Sequence, residues 1–350
     1  MLALPPEDDI LLRHVSQGSA DILKRCDEGM RIIDFSNYIA VLEESRKPWH
    51  AKYYAMFSSV LGGVVLDPVL MQVPIDDHLV HRGDGVFDTL KCQDRAAYSL
   101  DAHLRRLMRS ASAIGLSWPA GIEDVRKMTL ATLAEADVDS CYCRVMIARG
   151  PGSFGVSPYD SPVPALYVVV YAADIPFMDT HPQGARVRRS HVPVKAAQFA
   201  KVKNCNYLPN VMMKREALDW GVDFVVGFDE NGLMAEGATE NFGIVTQGGE
   251  LLFPRVETVL DGTTMLRIMQ LAETLVDAGD LKKAAFRDIT AADVLQAAEL
   301  LIVGTTVNVV SVREFEDVAI GEGKPGPIGR ALNALLLRDI SSNDELRTAY

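Results

Sequence analysis

Apolar positions along the chain fall into two periods, and their alternation outlines the elements. YYAMFSSVLGGVVLD, from Tyr53, reads as two strands about a Gly62-Gly63 turn, and Val86–Cys92 and Cys141–Ala148 are further β-rich runs. Ala165–Ala172 is apolar almost throughout, as in a strand covered on both faces. Leu104, Leu107, Met108, Ala111 and Ile114 recur at helical spacing and predict a helix over Leu100–Leu116, with another over Gly121–Ala134. Shorter helices are expected at Ser19–Cys26 and Phe35–Arg46. ADIPFMDTHPQG, residues 173–184, has the Pro, Gly and polar content of a linker. An alternating strand, ARVRRSHVPVK, follows. Lys201 and Lys203 share a face if their segment is extended. Pro209 suits the first turn of a helix over Val211–Trp220, and Gly221 is its stop. Phe224–Phe228 reads as a buried strand, Asn231-Gly232 as a hairpin turn, and Glu236 as the end of the returning strand. Ile244–Thr246, Leu251–Pro254 and Leu300–Val303 are later strands. A helix opens at Gly262-Thr263-Thr264, and a terminal helix precedes a last ten residues expected to fray.

With 350 residues, 48% hydrophobic and 23% charged, the composition is that of a soluble globular protein large enough for two domains. The expected division is an N-terminal helical appendage (1–51), a smaller α/β domain (52–172), a linker (173–184) and a larger domain (185–350). The appendage is read as a packing or dimer-contact segment. A net charge of −12 argues against nucleic acid or an anionic membrane as the main partner. No apolar run reaches the roughly 18–20 residues of a membrane span, and MLALPPEDDILLRH carries acids where a signal peptide carries bases. Five cysteines without a framework suggest a reducing compartment, the cytoplasm. Cys141 and Cys143 have no second Cys/His cluster and are read as strand residues, so no metal site is expected.

Candidate chemistry concentrates in five motifs: HRGDGVFDT (81–89), HLRRL (103–107), KNCNYLPN (203–210), EGATENF (236–242) and DGTT (261–264). A helix starting at Thr263 offers free N–H groups and positive dipole density, which suit a phosphate. In this order the motifs resemble the fold-type IV (class IV) aminotransferases that depend on pyridoxal 5′-phosphate, over roughly residues 53–338. The group most resembled contains D-amino acid aminotransferases and aminodeoxychorismate lyases. The resemblance implies an α+β fold of two domains with the cofactor between them, and a homodimer. It selects Lys203, rather than Lys195 or Lys201, as the Schiff-base lysine and proton carrier. Glu236 is then the acid that keeps the pyridine nitrogen protonated, and Arg106 the grip on the phosphate, aided by Thr263, Thr264 and Thr305. Tyr207 meets the phenolic oxygen. Phe87, Thr306 and Arg149 are implied at the substrate, with Arg144 the rival for its carboxylate. The histidine expected soon after Arg149 is absent, and so is the arginine that often follows Gly-x-Thr at 262–264. The expected reaction joins an amino acid and a 2-oxo acid, D-amino acids first. A lyase forming 4-aminobenzoate and pyruvate, and a branched-chain L-amino acid aminotransferase, are the alternatives.

Overall fold

The structure is a computed structural model that describes residues 30–116, 118, 121–257 and 259–350. The helix expected at Ser19–Cys26 lies outside the described residues. The chain divides between Pro48 and Trp49 into two units. In the first, a helix covers Tyr38–Glu44 only. Asp34 accepts hydrogen bonds from the N–H and hydroxyl of Ser36, and this local turn holds the start of the expected helix in another conformation.

The second unit contains two sheets. The first is antiparallel throughout. Its strands are β1 (Tyr53–Ser58), β2 (Gly63–Val65), β3 (Gly85–Gln93), β4 (Ala96–Tyr98), β5 (Cys141–Ala148), β6 (Ala165–Tyr171) and β16 (Arg347–Ala349), in the order β16-β4-β3-β5-β6-β1-β2. β16 is where fraying was expected. It pairs with β4, the Tyr350 N–H donates to the Arg95 carbonyl, and the Tyr350 hydroxyl donates to the Val138 carbonyl. Those bonds supply what a free C-terminus lacks.

The long helices α1 (Leu100–Ala113) and α2 (Ile122–Ala136) accompany this sheet. The α1 stripe of Leu104, Leu107 and Ala111 meets Val86, Leu90, Cys143 and Val145 in one core. Leu104 and Leu107 are fully buried, each stabilising by roughly 1.5–3 kcal/mol. Strand alternation therefore assigns faces: on β3 Val86 and Leu90 point into that core, while Phe87, Thr89 and Lys91 belong to the opposite face.

The second sheet runs from β7 (Ala185–Arg189) through β8 (Phe224–Phe228), β9 (Met234–Gly237), β10 (Asn241–Val245), β11 (Glu250–Phe253), β12 (Lys283–Phe286) and β13 (Glu299–Gly304) to β14 (Asn308–Phe315) and β15 (Val318–Ala319). Its spatial order is β12-β11-β10-β13-β14-β7-β8-β9, and β9 also pairs back to β10 at Glu236 and Asn241. Six of the strands thus close on themselves, leaving Glu236 at the seam. The hairpin between β8 and β9 turns at Gly232, whose φ of 76° is the left-handed value expected for Asn-Gly. Helices α3 (Leu208–Asp219), α4 (Thr263–Asp277) and α5 (Pro327–Ser342) belong to this half, and Pro209 stands in the first turn of α3.

The strand expected over ARVRRSHVPVK ends at Arg189, as β7. Ala197–Ala200 is a short helix, and the chain beyond it joins the first sheet. Phe87 N–H donates to the Lys203 carbonyl at 2.9 Å, and Cys205 N–H donates to the Gly85 carbonyl at 2.9 Å. These bonds occupy the half of β3 that β4 leaves free.

Candidate active site

The two sheets enclose a cavity of about 410 Å³. Of the residues picked out from sequence, Phe87, Arg106, Lys203, Tyr207, Thr263, Thr264, Thr305 and Thr306 line it. Glu236 borders the adjoining crevice, which Lys203 and Tyr207 share. Arg149 is absent from the lining. Its guanidinium donates to Asp84 at 2.9 and 3.1 Å and to the carbonyls of Ile114 and Gly115, so it staples the end of α1 to the loop before β3. Arg144 lines the cavity instead.

Lys203 is fixed by its backbone, between β3 and the Ser110 hydroxyl of α1, which accepts its N–H at 3.1 Å. Its Nζ donates to the Tyr207 hydroxyl at 3.2 Å and stands 4.9 Å from the centre of the Phe87 ring. Burial, with the neighbouring Arg106 charge adding to it, lowers the amine to about 8. A neutral, nucleophilic amine is therefore available at mild pH, where a solvated lysine is almost wholly protonated. Burial likewise raises the Tyr207 phenol and keeps it protonated. The adjoining loop is tightly fitted: a Cβ on Gly83 would lie 2.6 Å from Asn206 Oδ1, and Asn206 donates to the Gly83 carbonyl.

Glu236 accepts the Leu260 N–H at 3.0 Å. Burial raises its carboxyl above the ordinary range, while Lys195 and Lys203 oppose that shift. Lys195 is held down in turn by its own burial, and its Nζ sits 5.0 Å from the centre of the Tyr207 ring. Tyr207 is thus flanked by both lysines.

Asp88 is among the residues that sequence reading missed, with Thr89, Tyr142 and Tyr171 of the cavity lining. It lies on the core face of β3, only 1% exposed, and binds Arg106 through two bonds of 2.8 and 2.7 Å and His103 Nδ1 at 2.8 Å. Burial alone would protonate it, but the charge of Arg106 and the hydrogen bonds from Arg106 and His103 hold it far below the carboxylate range. Burial also lowers His103, so a neutral ring donates from Nδ1 to Asp88 and leaves Nε2 facing the Thr263 hydroxyl at 3.4 Å. Asp88 therefore orients both the arginine and, through His103, the first turn of α4. A signal was present: an acid inside an apolar strand, with His103 and Arg106 three apart on the next helix.

Two Gly-Thr-Thr turns meet opposite β3. Gly262 precedes α4, and a Cβ there would collide with the Asn241 side chain. The N–H groups that open this helix have no intrahelical acceptor. Thr264 and Thr305 bring their hydroxyls to 3.5 Å, and Tyr142 donates to the Thr306 carbonyl at 3.0 Å. The facing wall carries Thr89, Tyr142, Arg144 and Tyr171. Arg144 Nε donates to the Thr89 hydroxyl at 3.2 Å, and its guanidinium lies 5.1 Å from the centre of the Phe87 ring. No carboxylate among the described residues is within ion-pair distance of it.

A desolvated amine and the free N–H groups of a helix start thus meet at one cavity, and a half-buried acid borders the crevice beside it. Residues 85–315 match the model of the family described as Amino-transferase class IV. The chain belongs to the class IV aminotransferases. It is 38% identical over 292 residues to the chloroplastic D-amino-acid transaminase of Arabidopsis thaliana, covering 83% of this chain and 78% of that one. It is 28% identical to a putative branched-chain-amino-acid aminotransferase of Methanocaldococcus jannaschii, over 78% of this chain and 92% of the other. A hypothetical aminotransferase from Mycobacterium tuberculosis, solved in its PLP-bound form, shares the fold, with a TM-score of 0.70 at 23% identity over 83% and 99% of the two chains. This class IV aminotransferase is a transaminase dependent on pyridoxal 5′-phosphate. The side chains present fit that cofactor: a desolvated lysine for its aldehyde, a half-buried acid, and a helix start with no room for a Cβ at Gly262. Among the described residues no helix is long and apolar enough to cross a membrane.

Proposed function

We propose that this aminotransferase moves the amino group between a D-amino acid and a 2-oxo acid, with Lys203 as its catalytic residue. The observation carrying the choice of D-amino acids is the 38% identity to a protein named D-amino-acid transaminase, spanning 83% of the chain. The bound cofactor supplies an electron sink for the substrate's Cα and carries the amino group between the half-reactions. Lys203 Nζ accepts the Cα proton as general base and returns it as general acid. Glu236 holds a proton at the cofactor's ring nitrogen, and Tyr207 orients its phenolic oxygen. Arg106, the N–H groups opening α4 and the hydroxyls of Thr264 and Thr305 hold the phosphate.

Phe87 and Thr306 border the substrate, and Arg144 takes its carboxylate. Arg144 is favoured over Arg149 because its guanidinium faces the cavity without a carboxylate partner among the described residues, whereas Asp84 occupies Arg149. We further propose a homodimer, on the exposed Leu208, Val211 and Met212 of α3, and a cytoplasmic location, on the free Cys92, Cys141, Cys143 and Cys205.

Relatives named branched-chain aminotransferases supply the second reading. The test follows the holoenzyme's visible absorption as D-alanine or L-leucine is added separately, without an acceptor. Conversion to the amino form of the cofactor by D-alanine alone is the expected result. Conversion by L-leucine alone overturns it in favour of the branched-chain reading, and conversion by neither moves the choice to the lyase.

A further inference from the structure

Behind the two Gly-Thr-Thr turns lies a crevice with room for about one water, lined by Lys91, His103, Thr263, Thr264, Thr305 and Asn308 among others. Thr263, Thr264, Gly304 and Thr305 are walls common to this crevice and the main cavity. Lys91 continues the β3 face that carries Phe87 and Thr89, and lies opposite Tyr142 across the strand pair. Its ammonium donates to Asn308 Oδ1, in the residue that closes the Gly304–Asn308 turn with a left-handed φ of 60°. The crevice has no acid in its lining, and no carboxylate among the described residues is within ion-pair distance of Lys91.

The charges around the cradle do not balance without a ligand. Arg106 directs two donors at Asp88 and a third at the Asp261 carbonyl, so its charge is already largely compensated. His103 is committed to Asp88 as well. In the crevice behind the two turns Lys91 brings a cation with no counter-charge among the described residues, and burial lowers it to about 8, as expected where no anion is present. A cation desolvated in this way keeps its charge cheaply only if an anion joins it.

Building on the phosphate cradle proposed above, we infer that Lys91 is the uncompensated cation of that cradle, acting from behind the Thr264–Thr305 hydroxyl pair on the cofactor's phosphate. Asn308 holds it there, and the threonine turns separate it from the substrate.

The test compares equilibrium binding of pyridoxal 5′-phosphate and of pyridoxal, which lacks the phosphate, to the apoprotein by quenching of intrinsic fluorescence. The ratio of the two affinities isolates the phosphate's contribution. Lys91→Met should lower that ratio about tenfold or more, with pyridoxal itself bound as in the wild type. Lys91→Gln keeps a donor for Asn308 and removes the charge. It should lower the ratio similarly, and Lys91→Arg should restore it. A wild-type ratio retained by Lys91→Gln overturns the inference, because a residue that only pins the turn would behave so. Equal weakening of both ligands by Lys91→Met and Lys91→Gln also overturns it. If the wild type itself binds the two ligands equally, the phosphate cradle fails, and this inference falls with it.

Discussion

The wall supplied by the first sheet presents mainly large side chains placed by strand alternation: Phe87 from β3, beside the smaller Thr89, Tyr142 and Arg144 from β5, and Tyr171 from β6. The wall supplied by the second sheet presents short hydroxyls and backbone, from the turns at Gly262–Thr264 and Gly304–Thr306. The difference bears on what each wall can do. Backbone N–H groups at a helix start are fixed by the fold and can serve a group common to every turnover. Side chains on a pleated face can be exchanged without altering the ladder beneath them, so that wall is suited to selecting a substrate. Lys203 stands between the two, held by the backbone of one sheet and close to the seam of the other.

Lys203→Ala should break this arrangement at its centre, with an expected loss of turnover of at least about a thousandfold. Borohydride treatment should fix the cofactor to the wild-type chain, adding its mass to the peptide containing Lys203, and should add none to the variant. Full steady-state activity in the variant would remove Lys203 from the mechanism. Arg144→Met tests the side-chain wall. It should raise KM for the amino acid by roughly ten- to fiftyfold while kcat stays within a few-fold, the pattern of an interaction made equally in ground and transition states. An unchanged KM would show that the side-chain wall does not hold the carboxylate through this residue.

The turn wall was largely legible in the sequence because it depends on local signals. Gly262-Thr263-Thr264 ahead of an apolar stripe marks a helix start, and Asn231-Gly232 between two apolar runs marks a hairpin. Both stand where they were expected. The side-chain wall was less legible, because which residues face the cavity depends on register. Tyr142 and Arg144 face it only because Cys141, Cys143 and Val145 fill the other side of β5. Asp88 escaped notice for the same reason: its partners His103 and Arg106 come from a helix whose docking no local pattern reveals. The C-terminus was misread because the pairing of β16 with β4 joins residues some 250 positions apart. The sequence suggests only an extended segment around Lys203, and no local pattern names its partner. Its hydrogen bonds go to β3, more than a hundred residues earlier.

The smallest expected effect separates the two arginines that the sequence left as rivals, five positions apart on and just after β5. Arg149 and Asp84 are mostly buried, with side chains 12% and 21% exposed, and they make a two-point ion pair. Arg149→Met leaves Asp84 without that cation and leaves the carbonyls of Ile114 and Gly115 without their donors. The fold should lose about 1–2 kcal/mol, read as a lower denaturant midpoint at unchanged slope. Asp84→Asn in the same chain should recover part of the loss by removing the stranded charge. Kinetic constants per folded molecule should stay within about twofold of the wild type, in contrast to Arg144→Met. A large rise in KM with no change in midpoint would exchange the roles of the two arginines and move the carboxylate site from the pleated face of β5 to the loop that follows it.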